Sequence, residues 1–176
     1  MLQYKDKKEF ANAVLTNMPS APDHFKYCSA INAKGPTLVK DLPIPKGLSS
    51  EEFSKLKEKG YTILDIRRYI AFLGAHIKGS YNIDIFGNLP TFAGWIIPYD
   101  KPILLVGDNK DEIDQAIVQL RWVGLDQIIG YLEDSVHSWA IKGFPIDYIN
   151  SISALELKEK LDKNEVVVLD VRSKLE

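Results

Sequence analysis

Between Leu48 and Tyr148 the apolar residues follow two alternating rules, helical spacing in some stretches and short unbroken runs in others. Ser49 and Glu52 form a capping box, Phe53 and Leu56 supply a buried stripe, and Gly60 stops the predicted helix. Thr62–Asp65 then reads as a short strand, Arg67–Phe72 as a short helix, and Tyr81–Ile83 as another strand. Ile103–Val106 is wholly apolar and suits the centre of a parallel sheet, where both faces are covered. A helix is predicted over Asp111–Trp122 with Ile113, Ala116, Ile117 and Leu120 inward, ended by Gly124. A strand over Gln127–Tyr131 and a helix over Ser135–Ile141, closed by Gly143, complete the series. Strands alternating with helices predict parallel βαβ units, hence a three-layer α/β domain.

The flanks differ. Asp6–Met18 places Phe10, Val14, Leu15 and Met18 on one helical face. From Pro19 to Pro45 the chain carries five prolines, which predicts an extended arm that lies on something, the tail of a preceding domain plus a linker. At the other end the opening of the series returns. Leu48-Ser-Ser-Glu-Glu-Phe-Ser-Lys-Leu and Tyr61-Thr-Ile-Leu-Asp-Ile-Arg67 reappear as Ile152-Ser-Ala-Leu-Glu-Leu-Lys-Glu-Lys-Leu and Val166-Val-Val-Leu-Asp-Val-Arg172. Ser49 maps to Ser153 at an offset of 104 and Asp65 to Asp170 at 105. The expected division is therefore 1–46 as the end of a preceding domain, 47–149 as the α/β domain, and 150–176 as the truncated start of a second copy. Val166–Leu169 would be a strand without its sheet: disordered, swapped, or added to another chain's edge, with a homo-oligomer as one outcome.

Composition narrows the setting. With 45% hydrophobic and 26% charged residues the chain has enough apolar material to cover a sheet on both faces. A net charge of −2 gives no reason to expect nucleic acid or an anionic membrane as partner. No apolar run approaches the roughly 20 residues needed to span a bilayer, and no signal peptide is evident. Cys28 is the single cysteine, which excludes an internal disulfide and fits a reducing cytoplasm.

Leu64-Asp65-Ile66-Arg67, followed by Gly74-Ala75-His76-Ile77-Lys78-Gly79-Ser80-Tyr81-Asn82-Ile83, resembles the rhodanese family. The family's pattern is a strand ending Asp-x-Arg, then Gly-His-Ile-Pro-Gly-Ala-x-Asn-Ile; Lys78 and Ser80 depart from it. Tyr131-Leu-Glu-Asp-Ser-Val-His-Ser-Trp139 with Gly143-Phe-Pro145 is similar to the family's closing Leu-x-Gly-Gly-x-x-x-Trp and Gly-x-Pro. By this resemblance Asp65, Arg67, His76, Gly79 and Trp139 are structural motif residues.

Rhodaneses carry sulfane sulfur as a persulfide on a cysteine that opens the loop after the central strand. A thiolate there needs backbone N–H groups and a cation around it. Active members have Cys at the loop's first position and Arg five residues later. Aligning the following helix puts Gly107 and Glu112 at those positions, in a loop reading Gly107-Asp108-Asn109-Lys110-Asp111-Glu112. Three carboxylates and one lysine carry the wrong sign for thiosulfate or a persulfide anion, and the phosphatase-like relatives need the same Cys and Arg. The expectation is a loop without catalytic residues. Asp111 and Glu112 also have a structural explanation, as acids in the first turn of a helix; a binding role for the loop stands beside it.

Cys28 reads as a small hydrophobe under the proline-rich arm, against a catalytic role. His24, His76 and His137 share no ligand spacing, so no metal site is expected: His76 belongs to the rhodanese turn, His24 and His137 to the surface or to caps. Trp95 has two readings, core packing of a short helix or contact with a neighbouring domain.

Pro22-Asp-His-Phe25, Ile31-Asn-Ala-Lys-Gly-Pro36 and Phe92-Ala-Gly-Trp95 look like the junction and first rhodanese of fusions with a metallo-β-lactamase-fold domain. That resemblance implies a cytoplasmic, bacterial sulfide or persulfide detoxification protein of the non-heme iron persulfide dioxygenase type. Its partners would be the preceding lactamase-like domain and a following rhodanese domain, with no cofactor in the present segment. The implied function is a non-catalytic positioning module. Residual sulfurtransferase activity, a hydrolytic use of the pocket, and small-ligand sensing are its rivals.

Overall fold

The computed structural model describes residues 3–16, 18 and 21–172. Its centre is a five-stranded sheet in which every neighbouring pair is parallel. The strands are β1 (Lys46–Leu48), β2 (Thr62–Asp65), β4 (Tyr81–Asn82), β5 (Ile103–Val106) and β6 (Ile128–Leu132), ordered β1-β6-β5-β2-β4. A two-stranded antiparallel ribbon joins β3 (His76–Ile77) to β7 (Ile146–Asp147), with His76 opposite Asp147.

Side-chain alternation along the central strands builds two cores. Ile63, Leu104 and Val106 point to one face, where α3 (Ser50–Glu58) and α7 (Val136–Ile141) deliver Phe53 and Trp139. Leu64, Ile103 and Leu105 point to the other, against Leu89 and Ala93 of α5 (Leu89–Ile96) and Ile113, Ala116 and Leu120 of α6 (Lys110–Arg121). Both β2 and β5 are buried along their whole length, which is why their sequences are apolar without alternation. The result is the three-layer α/β architecture expected from the pattern. A short α4 (Tyr69–Gly74) connects β2 to β3.

The stretch 19–45 needs correction. It is not extended throughout: Asp23–Lys34 forms the twelve-residue helix α2. The prolines bracket this helix instead of interrupting it. Pro22 sits at the N-cap, where its missing N–H costs nothing, and Gly35 at φ +85° followed by Pro36 ends it. α2 packs on α5, burying His24, which the sequence had assigned to the surface or a cap. The approach uses glycines. A Cβ at Gly124 would lie 2.7 Å from Ile31 Cδ1. Ahead of α2, α1 (Lys7–Leu15) exposes Phe10, Val14 and Leu15.

β1 was not foreseen either. Lys46, Gly47 and Leu48 pair with Gly130, Tyr131 and Leu132, so the segment before the capping box is an edge strand. The last helix, α8 (Ala154–Asp162), forms where the internal repeat predicts it. Val166–Leu169, expected as a strand, is not one here: it has no sheet neighbour, and Val167 is 97% exposed.

Candidate functional site

The loop that follows the central strand starts at Gly107 and feeds α6. Asn109 caps the helix, its side-chain oxygen accepting from the Glu112 N–H at 2.9 Å. This is ordinary local chemistry, an Asn before an amphipathic run satisfying an otherwise orphaned amide. The C-terminal end of β6 forms the facing wall. There Ser135 caps α7 by accepting from the Ser138 N–H at 3.0 Å. Between the two loops lies a cleft of about 430 Å³ lined by Gly107–Lys110, Ile113 and residues 131–135.

Two features of this cleft bear on sulfur chemistry. The first is steric. Gly107 has its space taken: an added Cβ would stand 2.8 Å from Ile113 Cδ1 and 3.3 Å from Ile66 Cδ1. A side chain at this position would require the terminal methyl of Ile113 to shift. The second is electrostatic. Asp108, Glu133 and Asp134 line the cleft with Lys110 as the one cation among its lining residues. Lys110 is already engaged, paired with Asp114 and 5.3 Å over the Tyr131 ring. Asp111 is exposed and Glu112 half-buried at the head of α6, with Asp111 outside the cleft lining. Binding of thiosulfate or a persulfide anion needs positive donors, and Lys110 is the one such side chain lining the cleft.

Asp134 has a further task. Its carboxylate accepts from Ser50 Oγ at 2.9 Å and Lys142 Nζ at 2.6 Å. The Lys142 and Ser50 hydrogen bonds hold its pKa below the ordinary aspartate value. The same two contacts tie the loop after β6 to α3 and to the end of α7. Neither Glu133 nor Asp134 was singled out in the sequence. They follow β6 as Gly107 follows β5, and that equivalence of strand ends was the available signal.

The motif residues lie outside the lining of this cleft. Arg67 chelates the buried Asp65 through Nε at 2.9 Å and Nη2 at 2.6 Å, and its Nη2 also donates to the Ala75 carbonyl at 2.9 Å. Burial pushes the Asp65 carboxyl up, while the Arg67 hydrogen bonds and charge pull against it. Asn82 Nδ2 donates to the carbonyls of both Asp65 and Arg67. His76 Nδ1 sits 2.8 Å from the Phe72 carbonyl, to which it donates, and its ring stacks on Phe72 with centroids 3.8 Å apart. Gly79 adopts φ +88°, a turn geometry that side chains resist. Trp139 is fully buried, and its Nε1 donates to the Pro145 carbonyl at 3.0 Å. The β2 end, the ribbon and the Gly-Phe-Pro turn are thereby locked together.

Cys28 does not reach this cleft. It is half-buried on α2, packed against the core, and lines a separate depression of about 230 Å³ with Ile31, Arg121 and Trp122. Trp95 is 49% exposed on α5 and borders an apolar groove with Tyr27 and Ala30 of α2. His137 is exposed. Among the described residues no group of three or more His, Cys, Asp or Glu side chains is placed to hold a metal ion. No described helix is long and apolar enough to cross a membrane.

Comparison with solved structures and protein families places this geometry. A Staphylococcus aureus metallo-beta-lactamase superposes with a TM-score of 0.60 at 26% identity, covering 73% of this chain and 34% of that one. The chain thus spans about a third of that protein. The Alr3790 protein from Anabaena gives a TM-score of 0.52 at 21% identity over 66% of this chain and 99% of its own. A Y353A variant of EanB in complex with ergothioneine gives 0.51 at 18% identity, over 70% of this chain and 33% of its own. At these last two identities the likeness shows the shared fold. No curated protein matches. A sequence model of the rhodanese-like domain matches residues 49–142, more than half of the 176-residue chain, and the chain therefore belongs to the rhodanese-like domain family.

Proposed function

We propose that this chain is a non-catalytic rhodanese-like module of a larger sulfur-handling protein, where it positions neighbouring domains instead of transferring sulfur. The observation that carries this reading is Gly107 at the head of the loop, where the thiol of a sulfur carrier would stand, with Ile113 Cδ1 2.8 Å from the position of a Cβ there. A persulfide carrier needs a thiolate at that point and cationic donors around it. Asp108, Glu133 and Asp134 supply the opposite field.

The neighbouring domain is of the metallo-β-lactamase fold, in a protein of the persulfide dioxygenase type acting in sulfide or persulfide detoxification in a bacterial cytoplasm. Support comes from the Staphylococcus aureus metallo-beta-lactamase, of which a segment like this chain forms only about a third. The iron chemistry of such a protein belongs to that other domain, and the present segment contributes no ligand or cofactor to it.

A thiosulfate:cyanide sulfurtransferase assay tests the reading. The expected result is no turnover above the uncatalysed reaction. Turnover that disappears in Cys28→Ser would overturn it, since Cys28 is the chain's one thiol. A Gly107→Cys/Glu112→Arg variant tests the cause: with Ile113→Ala added to make room, it should bind and turn over thiosulfate more than the unmodified chain does.

A further inference from the structure

Helix α6 ends at Arg121, Gly124 turns the chain at φ +77°, and Asp126 follows. Arg121 and Asp126 line the same depression of about 230 Å³, together with Cys28 and Asn32 of α2, Thr37 of the arm after it, and Trp122. This depression shares no lining residue with the cleft at Gly107. Its size falls below the roughly 300–1,000 Å³ typical of pockets for drug-sized ligands, so it suits only a small molecule.

Two opposite charges border this space without meeting. Arg121 Nη2 donates to the Pro43 carbonyl at 3.2 Å, which holds the guanidinium against the arm. Its Nε is buried and has no hydrogen-bond partner among the described residues. Among those residues no ion pair within 4.0 Å joins Arg121 to Asp126. The two nevertheless feel each other: burial pushes the Asp126 carboxyl up, and the Arg121 charge pulls against that rise. A half-buried guanidinium and a half-buried carboxylate, each short of partners, are unfavourable unless a third group bridges them. Lys34, Lys101 and Asp41 border an adjoining depression, but all three are exposed, and water screens them.

We propose that this depression binds a small zwitterion of the free amino-acid class, with its carboxylate on Arg121 and its ammonium group on Asp126. The pair of charges selects the class. A simple anion would gain at Arg121 and lose at Asp126, and a simple cation the reverse. A ligand carrying both signs on neighbouring atoms gains at each. Its carboxylate supplies the acceptor that Nε lacks, in the planar geometry a guanidinium favours. Asn32 and Thr37 add neutral donors and acceptors at the rim, and Trp122 offers an apolar surface to the ligand's side chain. The site goes beyond the sulfur-handling reading and does not depend on it.

Amide NMR of the 176-residue chain tests it, with L-alanine and L-methionine as probes and propionate and ethylammonium as single-charge controls. Both amino acids should give saturable shifts at Asn32, Thr37, Trp122 and Gly124, and none at Gly107–Lys110. At a concentration ten times the Kd so measured, alkylation of Cys28 by iodoacetamide should slow by about tenfold, as mass action requires. Arg121→Met and Asp126→Asn should each weaken binding by at least about tenfold, the usual effect of losing a charged hydrogen bond. Arg121→Met also releases the Pro43 carbonyl, so Asp126→Asn, which leaves that bond in place, decides between a lost ligand contact and a loosened arm. Absence of saturable shifts with both amino acids would overturn the proposal. So would propionate or ethylammonium binding as tightly as L-alanine, or unchanged affinity in Asp126→Asn.

Discussion

His24 packs against Gly94, so close that a Cβ built on Gly94 would stand 2.8 Å from His24 Cγ and 2.9 Å from Nδ1. Together with Gly124 under Ile31, this contact seats α2 on the domain and turns the amino-terminal segment into part of its outer layer. A glycine inside α5 is costly for the helix, by roughly 0.5–1 kcal/mol relative to alanine. Its value here is the space it leaves.

Gly94→Ala should therefore destabilise the protein despite the gain in helix propensity. Overpacking of this kind costs about 1–3 kcal/mol. Chemical denaturation gives the number, and limited proteolysis should show new cleavage between residues 34 and 46 as α2 lifts. The double variant His24→Ala/Gly94→Ala should recover most of the loss. A single variant as stable as the unmodified chain would contradict the seating of α2.

Arg67 is the sole cation on the buried Asp65 carboxylate among the described contacts. Removing it by Arg67→Met leaves that charge without compensation, at a cost of about 3–5 kcal/mol. Asp65→Asn/Arg67→Met should lose less than the single variant, because no charge remains to be buried. Equilibrium unfolding of the set measures both statements. Equal losses in single and double variants would refute the pairing.

Tyr99 donates its hydroxyl to the Val123 carbonyl at 3.0 Å, beside the ring of Tyr27. Burial pushes its pKa up to about 12 from 10.0. Raised in the folded state, it favours the neutral phenol, so its stabilisation is complete below pH 10.0 and lost as pH rises through about 12. An ultraviolet titration should show one late tyrosine phase that Tyr99→Phe removes. At neutral pH the same variant should cost about 1 kcal/mol for the lost hydrogen bond.

Asp134 behaves in the opposite sense. Held below 3.8 by Lys142 and Ser50, its carboxylate supports the loop after β6 at any pH above that value and stops doing so as pH falls through its lowered folded pKa. Carbon-detected NMR of the side chain should find a midpoint under 3.8, moving up in Lys142→Met and in Ser50→Ala. No movement in either variant would show that the two hydrogen bonds are not what holds it.

Sequence alone determined the parts whose causes are local. α6 is written in the 3.6-residue spacing of Ile113, Ala116, Ile117 and Leu120 and in the Asn109 cap, and β5 in four consecutive apolar residues. The loop's composition, Gly107 included, is likewise read directly from the chain. Tertiary structure decided what depends on distant partners. Lys46–Leu48 becomes a strand because Gly130–Leu132 lies alongside it, α2 is docked because Gly94 and Gly124 admit it, and the cleft has its second wall because β6 ends beside β5. Thr62–Asp65 and Val167–Asp170 make the same point within one chain. Their local patterns correspond, yet the first is a buried strand and the second an exposed segment, because strand hydrogen bonds close between chain segments rather than along one.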